Sequence, residues 1–192
     1  MPSPSKEASS PTPKTSPPAV STILLKADLA LRALLFATTI ASVAVMVSSK
    51  QTKALILSPA FPPLALVAKF NYSSAFIYFV AAISVSCFYS LVTTAASALS
   101  VLRTHRGTKT LFHLLVLDAV ILGVVASALG AGAAVGYLGE KGNSHVGWNK
   151  VCNLFDVFCR HIGASVFLSL VAAIILVFLV LISAYSLYRR SL

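Results

Sequence analysis

Charge is scarce in this sequence: 10% of its 192 residues are Asp, Glu, Lys or Arg, and only five are acidic. Soluble domains carry about a quarter of their residues as charge, so the polar surface that a water-soluble fold of this size requires is missing. Cysteine is equally thin. The three present, Cys87, Cys152 and Cys159, are too few for a disulfide-dense secreted scaffold, and none are spaced Cys-x-x-Cys. No glycine-rich phosphate loop, nucleophile–base constellation or metal-ligand cluster stands out anywhere along the chain. The sequence therefore reads as a non-enzyme with no cofactor and no metal.

What the chain has in excess is apolar side chain, 57% of all residues, gathered into four blocks at about 27–48, 74–102, 111–138 and 162–188. Each is at least 22 residues long, enough to cross a hydrocarbon core of ~30 Å at ~1.5 Å per helical residue. None alternates with the period of two that a membrane β-strand shows. The expected fold class is an all-α membrane protein, a four-transmembrane-helix bundle occupying residues 26–190. An even number of crossings places both termini on one side.

Residues 1–25 are rich in Pro, Ser and Thr and have almost nothing to bury, so a disordered tail is expected there. Ser3-Pro4, Ser10-Pro11, Thr12-Pro13 and Ser16-Pro17 have the form of proline-directed phosphorylation sites, although such dipeptides are common in disordered tails. The segment lacks an early apolar stretch and does not read as a cleaved secretory signal.

The net charge of +10 does not point to nucleic acid, because the cations flank the apolar blocks, where anionic lipid headgroups meet them. Arg103, Arg106 and Lys109 crowd one short connection, and Arg189, Arg190 and Lys26 lie on the same side. The opposite loops spread Lys50, Lys53, Lys69, Lys141, Lys150 and Arg160 over longer stretches. That density bias makes the termini cytoplasmic. Cys152 and Cys159, with six residues between them, then fall in an oxidising compartment, where they would form a disulfide. A metal site with His145 and His161 is the other reading of the pair. Cys87 reads as a packing residue, and the sequon at Asn71 lies too near the membrane to be expected to carry a glycan.

Within the spans, Arg32 and Asp118 lie about five and seven residues inside the cytoplasmic ends of the first and third blocks. Charges at ~8–11 Å depth are costly and normally pair inside the bundle. An interhelical Arg32–Asp118 salt bridge is expected. Snorkelling of Arg32, or its pairing with Asp28 at i−4, are alternatives that leave Asp118 unexplained. Gly132 and Gly136 make a small-xxx-small pair for close helix packing, and the Ser/Thr/Ala-rich stretch 84–100 suits a similar use. Residues 174–182 are large and aliphatic and read as lipid-facing.

The buried Arg32 and Asp118, Phe70-Asn71-Tyr72-Ser73 before the second block, and Gly147-Trp148-Asn149-Lys150-Val151-Cys152 with Phe158-Cys159 in the second outer loop occur in a recognisable order. In these features the chain resembles the Casparian strip membrane domain protein-like family of plants, four-span proteins related to the MARVEL domain. The resemblance covers about residues 25–190. It implies a plasma-membrane protein that forms homo- and hetero-oligomers, homodimers and heterodimers among them, and organises membrane scaffolds. In the founding members, such scaffolds guide local cell-wall modification by recruited enzymes. The first outer loop, with Leu57-Ser58-Pro59-Ala60-Phe61-Pro62-Pro63, lacks the acidic-aromatic stretch of those members and is more similar to the broader set of "like" proteins. The alternative function is a small channel or transporter subunit using Arg32 and Asp118. A claudin-like order is excluded, because that family carries its Trp and Cys pair in the first outer loop.

Overall fold

The computed structural model describes residues 18–55, 64–103 and 108–191. Four long helices dominate it: α1 Pro18–Val47, α2 Ser74–Arg103, α3 Thr108–Lys141 and α4 Asp156–Ser191. Each contains a segment long and apolar enough to span a bilayer: Ile23–Val47, Ser74–Leu99, Lys109–Lys141 and Asp156–Arg189. The chain is a four-span, all-α membrane protein.

The helices close into a ring in which α1 packs on α2 and α4, and α3 packs on the same two. Leu35 and Met46 from α1, Phe79 and Ile83 from α2, Val125 from α3, and Leu176 and Leu179 from α4 are fully buried in the interior. The outer surface is itself apolar, with Phe88 70% exposed and Phe167 64% exposed, as a bundle bathed in lipid requires. Burial of apolar surface therefore contributes little to holding the helices together, and small residues and interhelical hydrogen bonds take that role. Ser86, Ser90, Thr93 and Ser97 are all buried and form one stripe along α2. Ser42 and Ser165 cross-link α1 and α4: each hydroxyl donates to the other residue's carbonyl, at 2.9 and 2.8 Å.

Several boundaries differ from those expected. Of the 1–25 stretch expected to be a disordered tail, residues 18–25 are instead the opening turns of α1. Pro18 suits the first helical position, where its missing N–H has no partner to lose. The rest of that tail with its Ser/Thr-Pro dipeptides, the 57–63 stretch and Arg106 lie outside the described residues. The fourth helix begins at Asp156, not 162, with an acidic side chain in its first turn opposing the helix dipole. Phe158 and Cys159 consequently belong to α4 and not to a loop. The 174–182 stretch is not wholly lipid-facing either: Ile175, Leu176 and Leu179 are buried, while Ile174, Val177, Phe178 and Leu181 look outward. A helix that is apolar on every side gives no sign of which face packs.

The connection between α1 and α2 holds an unanticipated hairpin. β1 (Lys50–Leu55) and β2 (Leu64–Lys69) pair antiparallel in the register Lys50↔Lys69 to Leu55↔Leu64. Leu66 and Ala68 turn one face of the hairpin onto the core.

Candidate functional site

Two constellations stand out, one within the spans and one among the loops at the end of the bundle away from the termini. The first is ionic and sealed. Arg32, one turn after Asp28 on α1, is fully buried, as is Asp118 on α3. The guanidinium donates from Nη1 to Asp118 Oδ1 at 3.2 Å and from Nη2 to Oδ2 at 2.8 Å, a bidentate pair. Its third nitrogen, Nε, donates to Asp28 Oδ1 at 3.1 Å. Two residues of α2 close the cluster: the Tyr89 hydroxyl donates to Asp118 Oδ1 at 2.6 Å, and the Ser97 hydroxyl to Asp28 Oδ2 at 3.3 Å. Three helices thus converge on one guanidinium.

Arg32 makes the interhelical contact to Asp118 and the i−4 contact to Asp28 at once, so the two pairings weighed for it are not exclusive. Tyr89 and Ser97 were not anticipated. Ser97 lies on the α2 polar stripe, which would have pointed to it. His113 stands apart, exposed, with Nδ1 2.7 Å from the Lys109 carbonyl.

The second constellation ties those loops together. The side-chain carbonyl of Gln51 on β1 accepts from the Phe158 N–H at 2.9 Å, and its NH2 group donates to Asp156 Oδ1 at 3.2 Å. The first turn of a helix has N–H groups without intrahelical partners, so Gln51 caps α4 from another element. Lys53 approaches the same carboxylate at 3.9 Å. Cys152 and Cys159 are disulfide-bonded with their Cα atoms 5.6 Å apart, which joins the incoming loop to the first turns of α4. The Cys152 N–H also donates to the Gly139 carbonyl at 3.1 Å, linking this staple to the end of α3. Among the described residues no group of His, Cys, Asp or Glu is arranged to hold a metal ion.

Trp148 and Phe158 part company. Trp148 is 59% exposed, its backbone paired with Asn143 across a turn that contains Gly147 and follows Gly142, both at positive φ. Phe158 is buried and meets Phe76 of α2 edge to face, with ring centroids 6.5 Å apart. Gly132 and Gly136 both face inward: a Cβ on Gly132 would lie 2.9 Å from the Phe79 ring, and one on Gly136 3.5 Å from Ile162. Gly123 and Gly130 of the same helix face open space.

The family model of the Casparian strip membrane protein domain matches residues 21–175, most of the chain and all of the residues just described. The chain belongs to the Casparian strip membrane protein family. CASP-like protein 1D1 of Musa acuminata is 51% identical over 170 residues, covering 87% of this chain and 89% of the relative. CASP-like protein 1D1 of Oryza sativa subsp. japonica is 49% identical, covering 86% and 81%. That of Vitis vinifera is 50% identical, covering 85% and 78%. No solved structure matches the chain.

Proposed function

We propose that this Casparian strip family member is an oligomeric scaffold of the plasma membrane, with cytoplasmic termini. It organises a membrane domain by packing laterally with copies of itself and with related members, and it gathers enzymes of local cell-wall modification there. Its role is assembly, not catalysis. The observation that carries this reading is the state of Arg32. All three of its nitrogens are bonded to two carboxylates, and Arg32 and Asp118 are completely shielded. Charges spent on each other in this way fix three helices relative to one another and leave no free site on a conduction or transport route. The same observation speaks against the channel alternative, in which the pair would face a water-filled path.

A rigid protomer can then offer its outer faces to neighbours. On α3 the exposed face carries Gly123, Gly130 and Ala134, small residues that admit close approach of a second copy, beside Ser127, whose hydroxyl is 2.7 Å from that of Tyr78 on α2. Photobleaching of a fluorescent fusion at the plasma membrane tests the reading. Wild-type protein is expected in immobile patches. Gly123→Leu with Gly130→Leu fills only the outward face, so this variant is expected to reach the membrane and diffuse freely. Free diffusion of the wild type would reject the scaffold. Equal immobility of the variant would reject this face as the contact.

A further inference from the structure

The hairpin register sets Lys50 directly opposite Lys69. Like charges across an antiparallel pair destabilise it. Alternation assigns the two faces. Gln51, Lys53, Leu66 and Ala68 share the face turned to α4 and the core, as their contacts show. Lys50, Lys69, Thr52 and Val67 share the other, turned away from the bundle. Beside them stands Tyr72, 68% exposed, with the Lys69 Nζ 5.8 Å above its ring centroid.

Position along the membrane normal narrows what this pair can meet. Lys50 follows the last residue of α1 by three positions, and Lys69 precedes the first residue of α2 by five. At ~3.3 Å per extended residue Lys50 stands within ~10 Å of the hydrocarbon edge, and the polar headgroup layer is about 5–7 Å deep. A lysine stem reaches back across that distance, and an exposed tyrosine at this level is at home among headgroups. This end of the bundle carries Lys50, Lys53, Lys69, Lys141, Lys150 and Arg160 against Glu140 and Asp156, a net of six minus two, or +4. A zwitterionic headgroup would bring its own cation against the two ammoniums, whereas an anionic phosphodiester would relieve their repulsion.

We infer that Lys50 and Lys69, with Tyr72 beside them, form a binding site for the phosphate of an anionic lipid in the leaflet at the hairpin end of the bundle. Two phosphate oxygens accept from the two ammoniums, and the Tyr72 ring lies against the Lys69 ammonium. If the orientation proposed above holds, that leaflet is the outer one. The lipid site itself does not depend on orientation, so failure of one reading leaves the other standing.

The test uses the full chain purified in mixed micelles holding equal phosphatidylglycerol and phosphatidylcholine, with bound lipid read by native mass spectrometry. Wild-type protein is expected to retain phosphatidylglycerol in preference to phosphatidylcholine. Lys50→Gln with Lys69→Gln should lower that retention roughly tenfold, the scale of losing two charge contacts. Lys141→Gln, on α3 and outside the pair, should leave it unchanged. An unchanged thermal unfolding midpoint of the double variant shows that the molecule remains assembled. Equal retention of both lipids by the wild type would overturn the site, as would undiminished phosphatidylglycerol retention in the double variant. Lysine-dependent binding of an oligogalacturonide without phosphatidylglycerol retention would overturn it in favour of an acidic polysaccharide.

Discussion

Asp118 accepts three hydrogen bonds from two helices, and its removal leaves a guanidinium in the membrane interior with one carboxylate instead of two. Breaking a buried ion pair from one side costs about 3–5 kcal/mol. Asp118→Asn is therefore expected to lower the thermal unfolding midpoint of the detergent-solubilised protein steeply. A simple reversal, Arg32→Asp with Asp118→Arg, should not repair the loss, because an aspartate at 32 would face Asp28 one turn away. Replacing all three charges with apolar residues, as Asp28→Leu, Arg32→Met and Asp118→Leu, is expected to recover most of the stability, since no unpaired charge remains. A triple variant as unstable as Asp118→Asn would refute the clamp. The interhelical partners were legible in the sequence from matched depth in their spans. Asp28 was visible only as a rival to Asp118, because helical spacing says that two groups are near but not that one guanidinium serves both. Gln51 left no trace in the sequence: a glutamine in a polar loop looks the same whether it caps a distant helix or faces water.

At the level of elements, the two inward glycines of α3 differ in what surrounds them. Gly→Ala inside a helix gains about 0.5–1 kcal/mol from backbone entropy. At Gly136 the nearest atom to a new Cβ is 3.5 Å away, an ordinary contact, so the gain should survive and Gly136→Ala should be neutral or stabilising. At Gly132 the Cβ would meet the buried Phe79 ring at 2.9 Å. Overpacking of that kind costs about 1–3 kcal/mol, which exceeds the gain, so Gly132→Ala should be destabilising. Melting curves of the two variants side by side check the sign; equal effects would show that α2 yields freely at Phe79. Spacing identified this glycine pair, but not the residues it packs against. Hydropathy likewise located four helices while missing the start of α4, because Asp156, Arg160 and His161 interrupt its opening turns. The hairpin escaped notice for a related reason: KQTKAL and LALVAK show no clean alternation, since one strand is largely polar and the other largely apolar.

For the whole molecule, the orientation proposed above has a chemical consequence at Cys152 and Cys159. Four crossings place the disulfide at the end opposite both termini, and a disulfide persists only where the compartment is oxidising. Closing so short a loop is worth about 2–3 kcal/mol by chain entropy, which is small beside the packing of four helices. Reduction should free the loop without unfolding the bundle. Among the described residues the remaining cysteine is Cys87, half-buried within α2 and inside the membrane. In intact protoplasts, a membrane-impermeant phosphine followed by an impermeant maleimide is therefore expected to label the protein, and Cys152→Ser with Cys159→Ser should abolish the signal. An epitope at the N-terminus of the same protein should become accessible to antibody only after permeabilisation. The opposite pattern, with the epitope exposed and the thiols protected, would invert the molecule. The +4 end would then face the cytoplasm, and the Lys50–Lys69 site would meet the anionic lipids of the inner leaflet.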